Sequence, residues 1–71
     1  MIKVESKINT DSDENSFKIE AFADTKEEVV PGATFVGLPK NAKIEMGSVV
    51  RTADLDIAYM QSTGNWHWVG E

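Results

Sequence analysis

Apolar and polar residues alternate over short stretches of this chain, and polar or glycine-containing breaks separate the stretches. Over residues 1–9 the even-numbered positions, among them Ile2 and Val4, face one side, and mostly charged side chains face the other. A period of two is typical of a half-buried strand, so we expect a strand that puts Ile8 on the same side as Ile2. Residues 10–16 are all polar and predict an exposed acidic loop.

The middle of the chain contains further short strand patterns. Residues 17–23 alternate in the same way, except that Phe22 is an aromatic residue among the polar positions. Residues 24–28 predict either a helical turn or a polar bend, and shorter strand patterns follow at 33–36 and 43–46. Extended windows with apolar residues spaced by three and four are missing, so we expect no substantial helix.

The last third of the chain, Gly47–Val69, predicts a tight β-meander. The strand patterns and the breaks between them are, in chain order, 47–52, Ala53-Asp54, 55–60, 62–64 and 65–69. Both faces of these strands are apolar in places, and Trp66 and Trp68 share one face. Such strands lie either inside a barrel or against another subunit, and we expect a combination of the two.

These patterns predict one small all-β domain over residues 1–71, built of about five to six short strands. The sheet is expected to be a barrel-like meander or a two-sheet sandwich. Its parts are an N-terminal strand or arm at 1–9, the acidic loop at 10–16 and a β core at 17–69. The chain has 71 residues and no cysteine, so disulfides cannot compensate for a small core. Oligomerisation is the remaining aid, and we expect a homo-oligomer.

Charge and hydropathy narrow the choice of partners. The net charge is −5, and the seven basic residues are never adjacent, so we expect no binding to nucleic acid. No apolar run approaches the roughly 20 residues of a membrane helix, so we expect no membrane partner. The N-terminus has no signal-type apolar run and starts with a strand pattern, so we expect a complete reading frame.

The inventory of reactive side chains indicates a protein that is not an enzyme. His67 is the only histidine, and no serine lies in a Gly-x-Ser-x-Gly turn. The acidic stretch that starts at Asp11 resembles a calcium loop at first. Ser16 and Phe22 then occupy the positions that need glycine and a bidentate glutamate. We therefore expect no catalytic residue, no metal site and no cofactor.

The aromatic residues near the C-terminus are the best candidates for a contact surface. Aromatic side chains bury much area at a low entropic cost, which suits protein interfaces. The alternative is that one or both tryptophans close the domain's own core, and we favour this interpretation for them. The residues predicted to form the interface are Tyr59, Met60, Trp66, His67 and Trp68, with Ile2 and Val4 in a segment that could add as a strand to a partner.

Four stretches of the sequence resemble short proteins encoded in phages and prophages of Gram-positive bacteria. These stretches are Ala23–Thr34, Gly37–Pro39, Met46–Asp54 and Ile57–Trp66, and the resemblance extends over roughly Ser16–Val69. Such proteins are encoded among head and tail structural genes. The matching positions look like turn and packing residues, namely Asp24, Thr25, Lys26, Pro31, Gly32, Gly47, Ser48, Gly64 and Trp66.

The resemblance implies a virion structural protein that is made in the host cytoplasm and assembled into the particle. Its expected roles are capsid decoration or stabilisation, or a minor component of the head–tail junction or tail. Its partners would be capsid, connector or tail proteins. Two alternatives remain open from the sequence: a carbohydrate- or host-surface-binding module that uses Trp66 and Trp68, and a small acidic protein that modulates a host protein.

Overall fold

Seven strands form one mixed β-sheet in a computed structural model of the chain, which describes residues 1–10, 15–39, 41–62 and 65–70. The strands are β1 (Ile2–Asn9), β2 (Ser16–Ala23), β3 (Phe35–Val36), β4 (Lys43–Ile44), β5 (Val49–Thr52), β6 (Ile57–Ser62) and β7 (Asn65–Trp68). Among the described residues, the only helix is a single 3₁₀ turn at Lys26–Glu28. The all-β prediction is therefore confirmed, and two very short strands raise the count above the expected five to six.

The strand order is β3-β1-β2-β5-β6-β7, with β4 also on β2. β1 and β2 are antiparallel, whereas β2 runs parallel to β4 at its start and parallel to β5 at its end. β5, β6 and β7 are antiparallel neighbours, which confirms the C-terminal meander. The N-terminal segment is thus a strand inside the sheet and not a free arm.

The sheet is rolled, so that its two end strands approach each other. A row of directly opposed residues crosses the inner face from β1 to β7, in the order Val4, Ala21, Val50, Ala58 and Trp68. The three central members are small and almost fully buried, which allows the sheet to curl. Phe35 of β3 and Trp66 of β7 stack with ring centroids 6.1 Å apart. The single rolled sheet matches the barrel-like alternative and not the sandwich.

A kink between β4 and β5 is stabilised by a buried hydroxyl. The Ile19 N–H of β2 donates to Ser48 Oγ at 3.0 Å, and Ser48 Oγ donates to the Glu45 carbonyl at 2.8 Å. The side chain therefore replaces a backbone acceptor where the strand leaves the regular ladder. Gly47 beside it has a φ of +91°, a conformation that glycine adopts without steric cost.

One prediction for β1 is wrong. The pairing of β1 with β2 shifts register between Val4 and Ser6, so that Glu5 is an additional residue in the strand. Because a shift of one residue moves every later side chain to the other face, Ile8 lies outside the core and is 64% exposed. Lys7 is on the inward-facing side of the strand instead, and its Nζ lies 5.5 Å from the Phe17 ring centroid.

The boundary of the acidic loop also needs correction. Ser16 belongs to β2, where it is buried and lies opposite Lys43 of β4. Residues 11–14, which carry the acidic cluster of the loop, lie outside the described residues, as do Thr63 and Gly64 of the last predicted break. Ser62, predicted to belong to that break, ends β6.

Candidate functional site

The outer face of the sheet carries a group of exposed apolar side chains. Phe22 of β2 lies opposite Arg51 of β5, which lies opposite Ile57 of β6. On the side of Ile57 away from β5, the Val69 N–H donates to the Ile57 carbonyl at 2.8 Å. We call the five residues of this group the outer apolar patch: Phe22, Leu55, Ile57, Tyr59 and Val69.

The outer apolar patch is open to solvent. The exposed fraction of its side chains runs from 36% for Phe22 to 88% for Leu55. Phe22, Leu55 and Ile57 line a shallow depression of about 280 Å³, which also includes Arg51 and Thr52. These three side chains therefore form one exposed apolar depression.

Leu55 is held in a conformation that leucine ordinarily avoids. Its φ is +68°, the left-handed region that costs a non-glycine residue about 1–2 kcal/mol. The geometry is that of a three-residue hairpin loop, because the Leu55 N–H donates to the Thr52 carbonyl and the Thr52 N–H donates to the Asp56 carbonyl. Glycine or asparagine usually occupies this position. The fold therefore keeps a large, exposed apolar side chain at a position where it adds strain.

An ion pair interrupts the apolar surface of the patch. The Arg51 guanidinium, between Phe22 and Ile57, donates to Glu5 Oε1 at 2.8 Å. Both side chains are about half exposed, so this pair contributes little stability. It does neutralise the only charged side chain that separates Phe22 from Ile57 across the sheet. The patch is therefore a set of apolar side chains around one paired arginine.

The predicted interface residues fall on both faces of the sheet. Tyr59 and His67 are directly opposed on the outer face, where their rings stack with centroids 5.9 Å apart. Trp66 and Trp68 point inward, are half-buried and pack against the core, which confirms the core interpretation. Lys26 Nζ lies 4.8 Å from the Trp68 ring centroid. The two tryptophans therefore form no exposed stacking platform.

Three other predicted residues lie in or against the core. Met60 is 4% exposed and Ile2 is 2% exposed, while Val4 is partly buried against the core cluster. None of the three presents a contact surface while the chain keeps this structure. Of the predicted set, Tyr59 and His67 are the members that reach solvent on the outer face.

Sequence reasoning missed four members of the patch. Phe22 was an exception to the alternation of its strand, which was a usable signal for an outward aromatic residue. Ile57 and Val69 alternate with core residues, but both faces of the predicted meander are apolar in places, so the sequence did not show that these two side chains point outward. Leu55 followed the break at Ala53-Asp54, and only its hairpin geometry identifies it as unusual.

The described residues offer little reactive chemistry. Among them, no group of three or more histidine and carboxylate side chains is close enough to hold a metal ion. A depression of about 460 Å³, lined by residues within 32–39 and 42–44, has mainly apolar and backbone groups in its walls. No described helix has the length and apolar character needed to cross a membrane.

The chain matches no protein-family model, no curated protein and no solved structure.

Proposed function

We propose that this protein is a non-enzymatic structural component of a phage particle that binds a larger protein through its outer apolar patch. The observation that carries the protein-binding part is the strained and almost fully exposed Leu55, which shares an exposed depression with Phe22 and Ile57. The phage assignment is supported by the resemblance of the stretches around Pro31-Gly32, Gly47-Ser48 and Trp66 to short phage proteins.

The proposed mechanism is docking at repeated sites. A patch of five side chains gives a modest contact, but a shell or tail presents the same site many times at high local concentration. The partners are capsid, connector or tail proteins, and the chain decorates or stabilises the capsid or forms a minor part of the head–tail junction or tail. It acts in the particle after assembly in the host cytoplasm.

Quantitative mass spectrometry of purified particles tests this proposal. The wild-type chain is compared with Ile57→Asp, which puts a charge in the patch, and with Ile8→Asp. Ile8 is the matched control because it is an exposed isoleucine opposite Lys18, near the other end of β2 from Phe22.

The proposal expects equal copy numbers for wild type and Ile8→Asp, and a copy number at least about tenfold lower for Ile57→Asp. Wild-type particles that lack the chain would overturn the phage role. Particles that incorporate Ile57→Asp as well as the wild type would overturn the role of the patch.

A further inference from the structure

The outer edge of β7 has backbone groups that point away from the sheet. Met60 of β6 turns its backbone toward the β5 side, because its N–H donates to the Ser48 carbonyl and its carbonyl accepts from the Gly47 N–H. Backbone direction alternates along an antiparallel strand, so Tyr59 and its opposite residue His67 bond each other. The N–H and carbonyl groups of Trp66 and Trp68 therefore point outward from β7.

This edge is open within the described part of the chain. There, β7 pairs with β6 alone, and the backbone groups of Trp66 and Trp68 have no other backbone partner. A depression of about 200 Å³ lies beside Trp66, between β7 and the segment 30–35. Open edges attract other strands, and proteins normally block them with charges, proline or bulges.

The strand β1 carries edge-blocking charged residues that β7 itself lacks. Beyond its short pairing with β3, β1 carries Glu5 in a bulge and Lys7, whose Nζ donates to the Gly37 carbonyl at 3.1 Å. The sequence of β7 is Asn-Trp-His-Trp, with no Asp, Glu, Lys, Arg or proline. The register shift in its pairing with β6 adds a residue to β6 and none to β7. The outer edge of β7 is therefore suited to pairing with a further strand.

We propose that a second copy of the chain adds to this edge, β7 against β7 in antiparallel orientation. The occupant is a second copy because the strand is self-complementary about His67. A two-fold axis beside His67 places each Trp66 opposite the Trp68 of the other copy, and both pairs have their backbone groups free to bond. The two His67 side chains then lie directly opposite each other on the outer face.

The charge distribution permits this pairing. Each copy carries a net charge of −5, but no acidic side chain lies on β7. Charges more than a Debye length of about 8 Å from the contact are largely screened at physiological salt. The paired edges also join the outer faces of both copies into one surface. This inference goes beyond the proposed function and does not depend on the phage role.

Sedimentation velocity on the full chain tests the inference, from about 10 µM to 1 mM protein. We expect the wild type to dimerise with concentration. Like charges directly opposite each other destabilise a strand pair by up to about 1 kcal/mol, so His67→Glu and His67→Lys should each weaken dimerisation by up to roughly fivefold. An equimolar mixture of the two variants should restore dimers, because opposite charges then face each other. Gln61→Glu and Gln61→Lys, at an exposed position of β6, are the matched controls and should dimerise like the wild type.

A wild-type chain that stays monomeric over this range would overturn the inference. So would His67 variants that dimerise like the Gln61 controls, or a mixture of the two His67 variants that does not recover dimers. If Ile57→Asp abolished dimers while the His67 variants kept them, the contact would lie on the outer apolar patch and the β7 edge would be excluded. Because His67 is exposed, its substitution leaves the core intact, and circular dichroism verifies the fold of each variant.

Discussion

Removing the hydroxyl of Ser48 tests the most specific packing feature of this fold. The side chain is fully buried and serves as the acceptor for the Ile19 N–H at 3.0 Å. In Ser48→Ala this N–H remains buried at the same place in β2 but has no partner. The Glu45 carbonyl loses the hydroxyl bond and keeps a second donor, the Ser48 N–H at 3.3 Å. One buried donor is therefore left unsatisfied.

The cost follows from that single donor. Leaving a buried hydrogen-bonding group unpaired costs about 1–3 kcal/mol, whereas removing one oxygen atom creates little cavity volume. For a domain of this size each 1 kcal/mol lowers the melting temperature by about 4–8 °C. We expect Ser48→Ala to unfold about 10 °C below the wild type.

Thermal and urea unfolding followed by tryptophan fluorescence measure the effect. Ser6→Ala is the matched control, because Ser6 is exposed on β1, and its free energy of unfolding should change by less than about 0.5 kcal/mol. The reasoning is refuted if Ser48→Ala and Ser6→Ala unfold at the same temperature and urea concentration. A larger loss for Ser48→Ala with an unchanged urea dependence would confirm that the native state alone is affected.

Three further substitutions test the strained, stacked and kinked positions. Leu55→Gly should be about 1 kcal/mol more stable than Leu55→Ala in urea unfolding, because only glycine relieves the left-handed strain; equal stabilities would contradict this. Trp66→Ala should lower the free energy of unfolding by about 2–3 kcal/mol, because it removes the stacking on Phe35, while Trp66→Phe should cost less than half of that. Gly47→Ala should lower the free energy of unfolding by about 1–2 kcal/mol, because alanine is strained at the positive φ of this position. Lys18 Cε is the nearest atom to the new Cβ, but adding Lys18→Ala should not restore the stability. Full restoration would show that steric contact and not backbone conformation causes the loss.

The sequence was informative where period and turn chemistry act locally. Residues 17–23 alternate as predicted, because this strand has one face in the core and one outside it. Local pattern failed at Ile8, because a bulge adds one residue and reverses the phase without a change in composition. The parallel pairing of β2 with β5 joins segments far apart in the chain, and no local pattern specifies it.

The candidate site was predictable only in part, for a related reason. Tyr59 and His67 were identified as aromatic residues of a meander, and the structure places both on the outer face. Trp66 has the same kind of side chain but the opposite phase, so it packs against Phe35. Leu55 depends on a backbone dihedral angle that hydrophobic periodicity does not contain.

Hydroxyl-radical footprinting tests directly whether the outer apolar patch is the face that a partner covers. The free chain and the chain in purified particles are oxidised in parallel, and the modification of each side chain is measured by mass spectrometry. We expect Leu55, Phe22 and Tyr59 to lose most of their modification in the particle, while Ile8 and Met46, both exposed elsewhere, keep theirs. Unchanged modification of Leu55 together with protection of Ile8 would contradict it.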